Sequence, residues 1–339
     1  LRTVGKYWRV LLLGGLVSAA AIYLVFHQID LRALGLALAG ADYIYIVPSA
    51  LFILIGLGAR TVRWRVLLDS RLPAGRAFNI INITYLLNGL LPFRLGELGR
   101  AYLATRAQPP VPVFTTLSTI IVERLLDTLA VLVIIGLVLP IAPVPPELQA
   151  AAFAFLPALL LGFAVVLVLA AHPARTLVIA HRVLPARLPP RQRILGWLEH
   201  FLLGLRPLTR PRTLALLLFW TAASWALSVL SGLVLMRAFF DSGDLGATAL
   251  FTAAASFAVA LPAVPGNVGP YEASILIALN AMGYGTNAET ALAFAIVVHF
   301  LNLGVVAILG VSGFIAEGVS LEQLSQGVRS VRQQESAAG

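Results

Sequence analysis

The 339-residue sequence is 59% hydrophobic and only 12% charged, with a formal net charge of +9 and no cysteine. Soluble domains run about 25% charged, so a soluble chain is excluded and an all-α polytopic membrane protein is expected. The missing cysteines exclude a disulfide framework, thiol catalysis and Cys-ligated metal, and arginine in so apolar a chain points to basic cytoplasmic loops rather than nucleic acid.

Residues 8–26 form the first apolar run, and about 20 residues suffice to cross a bilayer. The run ends in His-Gln-Ile-Asp, not at a small-residue cleavage site, so it reads as a retained span. Residues 43–68 are the second span, ending among Arg60, Arg63, Arg65, Arg71 and Arg76. Residues 78–91 are apolar but too short to cross comfortably. They stop at a Pro/Gly break, Leu91-Pro92-x3-Gly96-x2-Gly99, and read as the first arm of a re-entrant hairpin. Residues 113–139 and 148–171 are full spans. Residues 172–212 form a basic loop with eight arginines against one glutamate, in which 194–205 is expected to lie on the membrane surface as an amphipathic helix. Residues 213–240 span again. Residues 247–261 are a second short arm, ending in Leu261-Pro262-x3-Gly266-x2-Gly269, and 271–282 return from it. The last span is 290–315, and 316–339 are a polar tail.

The expectation is a single membrane domain of six full transmembrane helices plus two re-entrant hairpins. With the N-terminus inside, 21 of the 24 Lys and Arg fall on the cytoplasmic side, which places both termini in the cytoplasm and the chain in the cell membrane. The second Pro/Gly break is the first displaced by 170 residues, and the flanking spans repeat at the same displacement. Each half, about 8–140 and 148–315, then has three spans and one hairpin. An odd number of crossings inverts the halves, and broken helices at matching positions of an inverted repeat point to a transport site.

Glu123, Arg124 and Asp127 lie ten to fifteen residues into their span, roughly 15–20 Å deep at 1.5 Å per residue. Each costs about 2.5–3.5 kcal/mol there if unpaired. Arg124 and Asp127 are spaced to pair on one helix, which leaves Glu123 for Arg94 or Arg100. The three are either a substrate or proton site or an ion-pair lock between helix and hairpin. Arg94, Glu97 and Arg100 are spaced by three and share a helix face. With the helix N-terminus freed by the break they make a phosphate cradle or a flank for anionic headgroups. In the second hairpin, Pro265, Gly266 and Gly269 make the break, Asn267 is a cap for the return arm and a headgroup-binding candidate, and Glu272 is a headgroup ligand or a structural carboxylate in the first turn. His299 in the last span, and Arg60 and Arg63 at the end of the second, are secondary candidates. A packing role and interfacial anchoring are their plainer readings.

Four stretches, RxxRW, LLPFRLGELGRAYL, ERLLD and LPAVPGNVGPYEA, together resemble the flippase-like integral membrane family typified by the membrane region of lysylphosphatidylglycerol synthases. The resemblance covers nearly the whole chain and implies a lipid-translocating fold. By position it implies roles for Arg94, Gly96, Glu97, Arg100, Glu123, Arg124, Pro265, Gly266, Gly269 and Glu272. The bifunctional synthases carry a soluble transferase domain after the membrane region. The tail here is too short for one, so synthesis of an aminoacyl lipid is not expected.

The functional expectation is a lipid flippase with membrane lipids as partners: an anionic or aminoacylated phospholipid, or a glycosylated polyprenyl lipid. No cofactor is implied. Lys6 is the single lysine, so there is no GxxxxGKS/T nucleotide loop, and Glu123 is the natural proton carrier. One alternative is an intramembrane lipid-modifying enzyme, for which Glu123, Asp127 and Glu272 would have to hold a divalent ion. Another is a scaffold for a partner lipid-modifying enzyme. The sequence leaves homo-oligomerisation open.

Overall fold

The computed structural model describes residues 4–27, 29–91, 94–138, 140, 146–184, 191–260, 265–320, 322–324 and 326. Among them are helices and turns and no strand. The α-helices are α1 (Val4–Phe26), α2 (Leu31–Ala39), α3 (Ile46–Leu67), α4 (Ala74–Leu90), α5 (Gly96–Thr105), α6 (Val113–Val138), α7 (Pro146–Ala171), α8 (Pro173–Val183), α9 (Arg191–Leu205), α10 (Pro211–Met236), α11 (Leu245–Ala260), α12 (Pro270–Ala281) and α13 (Ala288–Glu317). Their boundaries have local causes. Asp30 caps α2 by accepting from the Arg32 and Ala33 amides, and Asn287 caps α13 through the Thr290 amide at 2.9 Å. Prolines open α8, α10 and α12, where a missing N–H leaves nothing unpaired.

Among the described residues, three helical stretches can cross a membrane by length and composition: 43–67, α10 and α13. The number rises to five if each of two bent pairs makes one span, Gly15–Phe26 with Leu31–Ala39 at 83° and Leu156–Ala171 with Pro173–Val183 at 96°. At 26 residues α6 is as long as α10, but it carries Glu123, Arg124 and Asp127. Apolar side chains such as Leu160, Leu161, Val168, Ile308, Val311 and Ile315 face outward, as lipid-exposed positions do.

Ser49 and Ser231 hydroxyls lie 2.8 Å apart near one end of the α3–α10 contact, and Arg63 meets Thr221 further along it, so the two helices run antiparallel. α4 folds back on α5 and packs along α13, while α11 folds back on α12 and packs along α6. In lipid such contacts depend on close approach rather than on water exclusion. Gly310 and Gly313 supply it, since a Cβ on either would lie 3.0 Å from a carbonyl oxygen of α4.

One expectation changes. The amphipathic helix of the basic loop is α9, and its apolar face, including Leu195, Leu202 and Leu205, is buried. It docks on protein: Thr115 of α6 donates to the His200 carbonyl at 2.8 Å, and Phe114 stacks on Trp197. The start of the polar tail is packed as well. Gly318 ends α13 in a left-handed conformation, and Val319 and Leu324 then join Leu87 and Leu103 in a core cluster.

Candidate functional site

The first helix break lies between α4 and α5. Arg94 sits in it with φ 52°, a left-handed conformation uncommon for a residue with a Cβ. Pro92, expected to make the break, lies outside the described residues. Gly96 and Gly99, also assigned to the break from sequence, belong to the first turn of α5 instead. A Cβ on Gly96 would collide with the Thr84 carbonyl oxygen, and one on Gly99 would press on Leu87 and Leu324. These glycines seat α5 against α4 and so aim the charged face of α5 at α6.

That face reaches its target through Arg100. Its two terminal nitrogens donate to the two Glu123 oxygens at 2.5 and 3.2 Å. The guanidinium lies 3.9 Å from the centre of the Trp64 ring, and Trp64 Nε1 donates to Thr119 at 3.1 Å. Of the two partners foreseen for Glu123, Arg100 is the one the structure places there.

Arg63 makes the second buried pair. It donates to both Asp127 oxygens at 2.7 and 3.2 Å and to Thr221 at 3.1 Å, and its Nε lies 3.9 Å from Glu123. Trp225 Nε1 donates to the same Asp127 at 3.2 Å. This corrects two expectations. Arg63 is no interfacial anchor, because its side chain is only 1% exposed. Arg124 does not pair with Asp127 either. Arg63 arrives from α3 and takes both oxygens, while Arg124 reaches across to Glu97 of α5 at 3.2 Å.

The remaining cations are more open. Arg60 donates to the Tyr85 hydroxyl at 3.3 Å and to Ser228 at 3.5 Å. Arg94 lies 4.0 Å from Glu97, and it donates to the Val259 carbonyl of α11 at 3.5 Å. The tip of the first hairpin therefore touches the arm of the second. Exposure rises from Arg63 and Glu123, at 1% and 4%, to Arg94 and Arg124, at 32% and 38%.

The second break turns through Gly266, Asn267 and Gly269, with φ 80°, 54° and 96°. The backbone of Pro265 begins this turn. Asn267 does not cap the return arm: α12 starts at Pro270 with Gly269 as its cap residue. The Glu272 carboxylate accepts from the Gly269 amide at 2.7 Å and lies 2.6 Å from His299 Nδ1. Tyr271 stacks on the His299 ring. Glu272 and His299 are thus a pair, and among the described residues no hydrogen bond or ion pair joins them to the arginine network. The three carboxylates considered for a divalent ion do not converge. Glu123 and Asp127 are held by arginines, and among the described residues no three His, Asp or Glu side chains form a metal-ligand group.

Tyr85, Thr221, Trp225 and Ser228 also belong to the network, and the sequence reading passes over them. A signal for two of the α10 contacts exists: Thr221 and Ser228 recur at helical spacing, with Ser224 between them, on one face of an otherwise apolar helix.

Residues 11–310 match the family model for the lysylphosphatidylglycerol synthase TM region. The chain belongs to this family. A comparison with curated proteins found no match. The lysylphosphatidylglycerol synthase TM-region match includes both helix breaks and every charged residue described above, from Arg60 to His299. Family membership and the long apolar helices together make this a multi-pass membrane protein of a lipid-related family.

Proposed function

We propose that the protein is a lipid flippase. It would carry the headgroup of a phospholipid or polyprenyl-linked lipid across the cell membrane while the acyl chains remain in lipid. The observation that carries this reading is the meeting of the two broken helix pairs. Arg94, in the first break, reaches α11 at Val259, and a set of arginines and carboxylates stands directly behind it. Charged groups inside an apolar membrane bundle are costly unless paired or wetted, and such groups commonly mark polar paths.

The finer architecture belongs to the same proposal. Six crossings, two re-entrant hairpins and two inverted halves would make α3 equivalent to α10, α4 to α11, α5 to α12 and α6 to α13. The packing supports this. α3 pairs with its own equivalent in antiparallel fashion, and the α4–α13 contact has its counterpart in α11–α6. Both termini would lie in the cytoplasm. The protein would act without chemical conversion of the lipid, opening to one leaflet at a time.

The test is leaflet accessibility in liposomes. The purified protein is reconstituted with fluorescent phospholipids of different headgroups, and outer-leaflet probe is quenched by dithionite. Headgroup-selective loss of protected probe, diminished in folded Arg94→Ala protein, is the expected result. Protected probe equal to that of protein-free liposomes for every phospholipid and polyprenyl lipid offered would defeat the proposal.

A further inference from the structure

We propose that Glu272 and His299 form a proton-binding site that holds the return arm of the second hairpin, α12, closed against α13. The inference adds to the preceding reading and rests on it only for what movement of the hairpin accomplishes, the transfer of lipid.

Glu123, Asp127 and Glu317 are held by Arg100, Arg63 and Arg76. Arginine keeps its charge at any pH the protein meets. Glu123, the expected proton carrier, is thus tied to a cation that does not titrate. Glu272 differs. Its Oε1 lies 2.6 Å from His299 Nδ1, and histidine is the side chain whose charge ordinarily changes between about pH 5 and 8. The imidazole and the carboxylate are only 5% and 6% exposed.

Among the described residues no other charged group joins the pair. Tyr271 contributes its ring, stacked on His299 with centroids 4.2 Å apart. Of the elements packed on α12, α11 carries no charged residue, and α1 meets the break with Ser18, Ala21 and Ile22. Of those packed on α13, α2 meets it near Glu289, through the Asp30 amide, ten residues before His299. The arginines of α3 and α4 are engaged elsewhere: Arg60 with Tyr85 and Ser228, Arg63 with Asp127, Arg65 with the Leu72 carbonyl and Arg76 with Glu317. α10 bears only Arg212, in its first turn.

One shared proton makes the pair neutral, an imidazolium beside a carboxylate. Losing it leaves a net anion and adding a second leaves a net cation, each costly inside an apolar bundle. The closed arm therefore keeps one proton. The same carboxylate accepts the Gly269 amide at 2.7 Å, so it also fastens the first turn of α12 to the break. When α12 lifts from α13, both groups reach water, and above the histidine range the imidazolium gives its proton up. Closing takes one up again. The pH then sets how readily the arm opens.

The test is hydrogen–deuterium exchange of the purified protein in detergent between about pH 6 and pH 9, corrected for the intrinsic pH dependence of amide exchange. If opening releases one proton, exchange of α12 should rise by up to about tenfold per pH unit above the histidine range. Helix α10 is the reference and should not respond. Glu272→Gln and His299→Gln each remove one titrating partner and keep a hydrogen-bonding group, and each should flatten the response. A flat response in the unaltered protein overturns the inference, as does a response that both variants retain. If neither variant folds, the unaltered protein decides: a rise confined to α12 and the facing part of α13 supports the site, and one shared with α10 overturns it. The dithionite assay at the same pH values separates this inference from the preceding reading. An α12 response without lipid movement defeats the flippase and leaves the proton site standing; lipid movement without an α12 response does the reverse.

Discussion

Arg100 and Glu123 form a two-armed ion pair, at 2.5 and 3.2 Å, that ties the short return arm of the first hairpin to the long helix α6. Both side chains are about 95% buried, and the Trp64 ring covers the guanidinium. Removing one partner leaves the other charged, buried and unmatched, which costs about 3–5 kcal/mol. Glu123→Ala and Arg100→Ala should each lower the unfolding temperature strongly in detergent. Arg100→Leu combined with Glu123→Leu should recover most of the loss, since Arg63 keeps Asp127. The recovery is read by fluorescence-detected size exclusion after heating.

The Arg63–Asp127 pair makes a graded prediction. Asp127→Asn leaves Arg63 buried without its carboxylate and should cost about 3 kcal/mol. Trp225→Phe removes a single N–H donor from Asp127 and should cost about 1 kcal/mol. Equal effects from the two substitutions would mean that the indole, not the guanidinium, holds Asp127 in place.

These pairs show what the sequence discloses and where it stops. Long helices were legible because hydropathy over 20 or more residues needs no knowledge of neighbours, and α3, α10 and α13 fall where the apolar runs place them. The short helices α2 and α8, of 9 and 11 residues, carry no comparable signal. That Glu123 would find an arginine on the hairpin was also legible, from the cost of leaving it unpaired. Arg63 was misjudged because its place near the end of α3 looks interfacial, and its burial depends on α6 and α10 arriving from elsewhere in the chain. Arg124 and Asp127 have the right local spacing for a pair, and a bidentate partner from another helix outcompetes it.

At the second hairpin, Gly269 combines two requirements that should separate experimentally. Its φ of 96° disfavours any side chain, and a Cβ would lie 2.9 Å from the Ser18 carbonyl of α1. Gly266 has φ 80°, but among the described residues a Cβ there would meet nothing nearer than Val268 at 3.6 Å. Gly266→Ala should therefore cost only the conformational strain, about 1–2 kcal/mol. Gly269→Ala should cost more, because α1 must also move. Unfolding temperatures of the two variants, measured side by side, give the order.

The last prediction separates lock from site within one network. Arg124 and Glu97 pair at 3.2 Å, but their side chains are 38% and 22% exposed. Partly solvated pairs of this kind contribute little, up to about 1 kcal/mol. Arg124→Gln should accordingly leave the unfolding temperature nearly unchanged. In transport its effect should be large, because Arg124 and Arg94 both approach Glu97 and Arg94 reaches the second hairpin at Val259, and losing a charge-assisted contact to a phosphate slows transfer by about tenfold. Glu123→Gln should behave differently and depress stability and transfer together, since it releases Arg100 and unseats the hairpin. Both readouts are needed on the same protein, the dithionite assay for transfer and thermal unfolding for stability. Wild-type transfer in a stable Arg124→Gln protein would reduce this arginine to a surface partner of Glu97. Lost transfer at unchanged stability would place Arg124 on the path of the headgroup, because a residue that only holds helices together cannot affect one readout without the other.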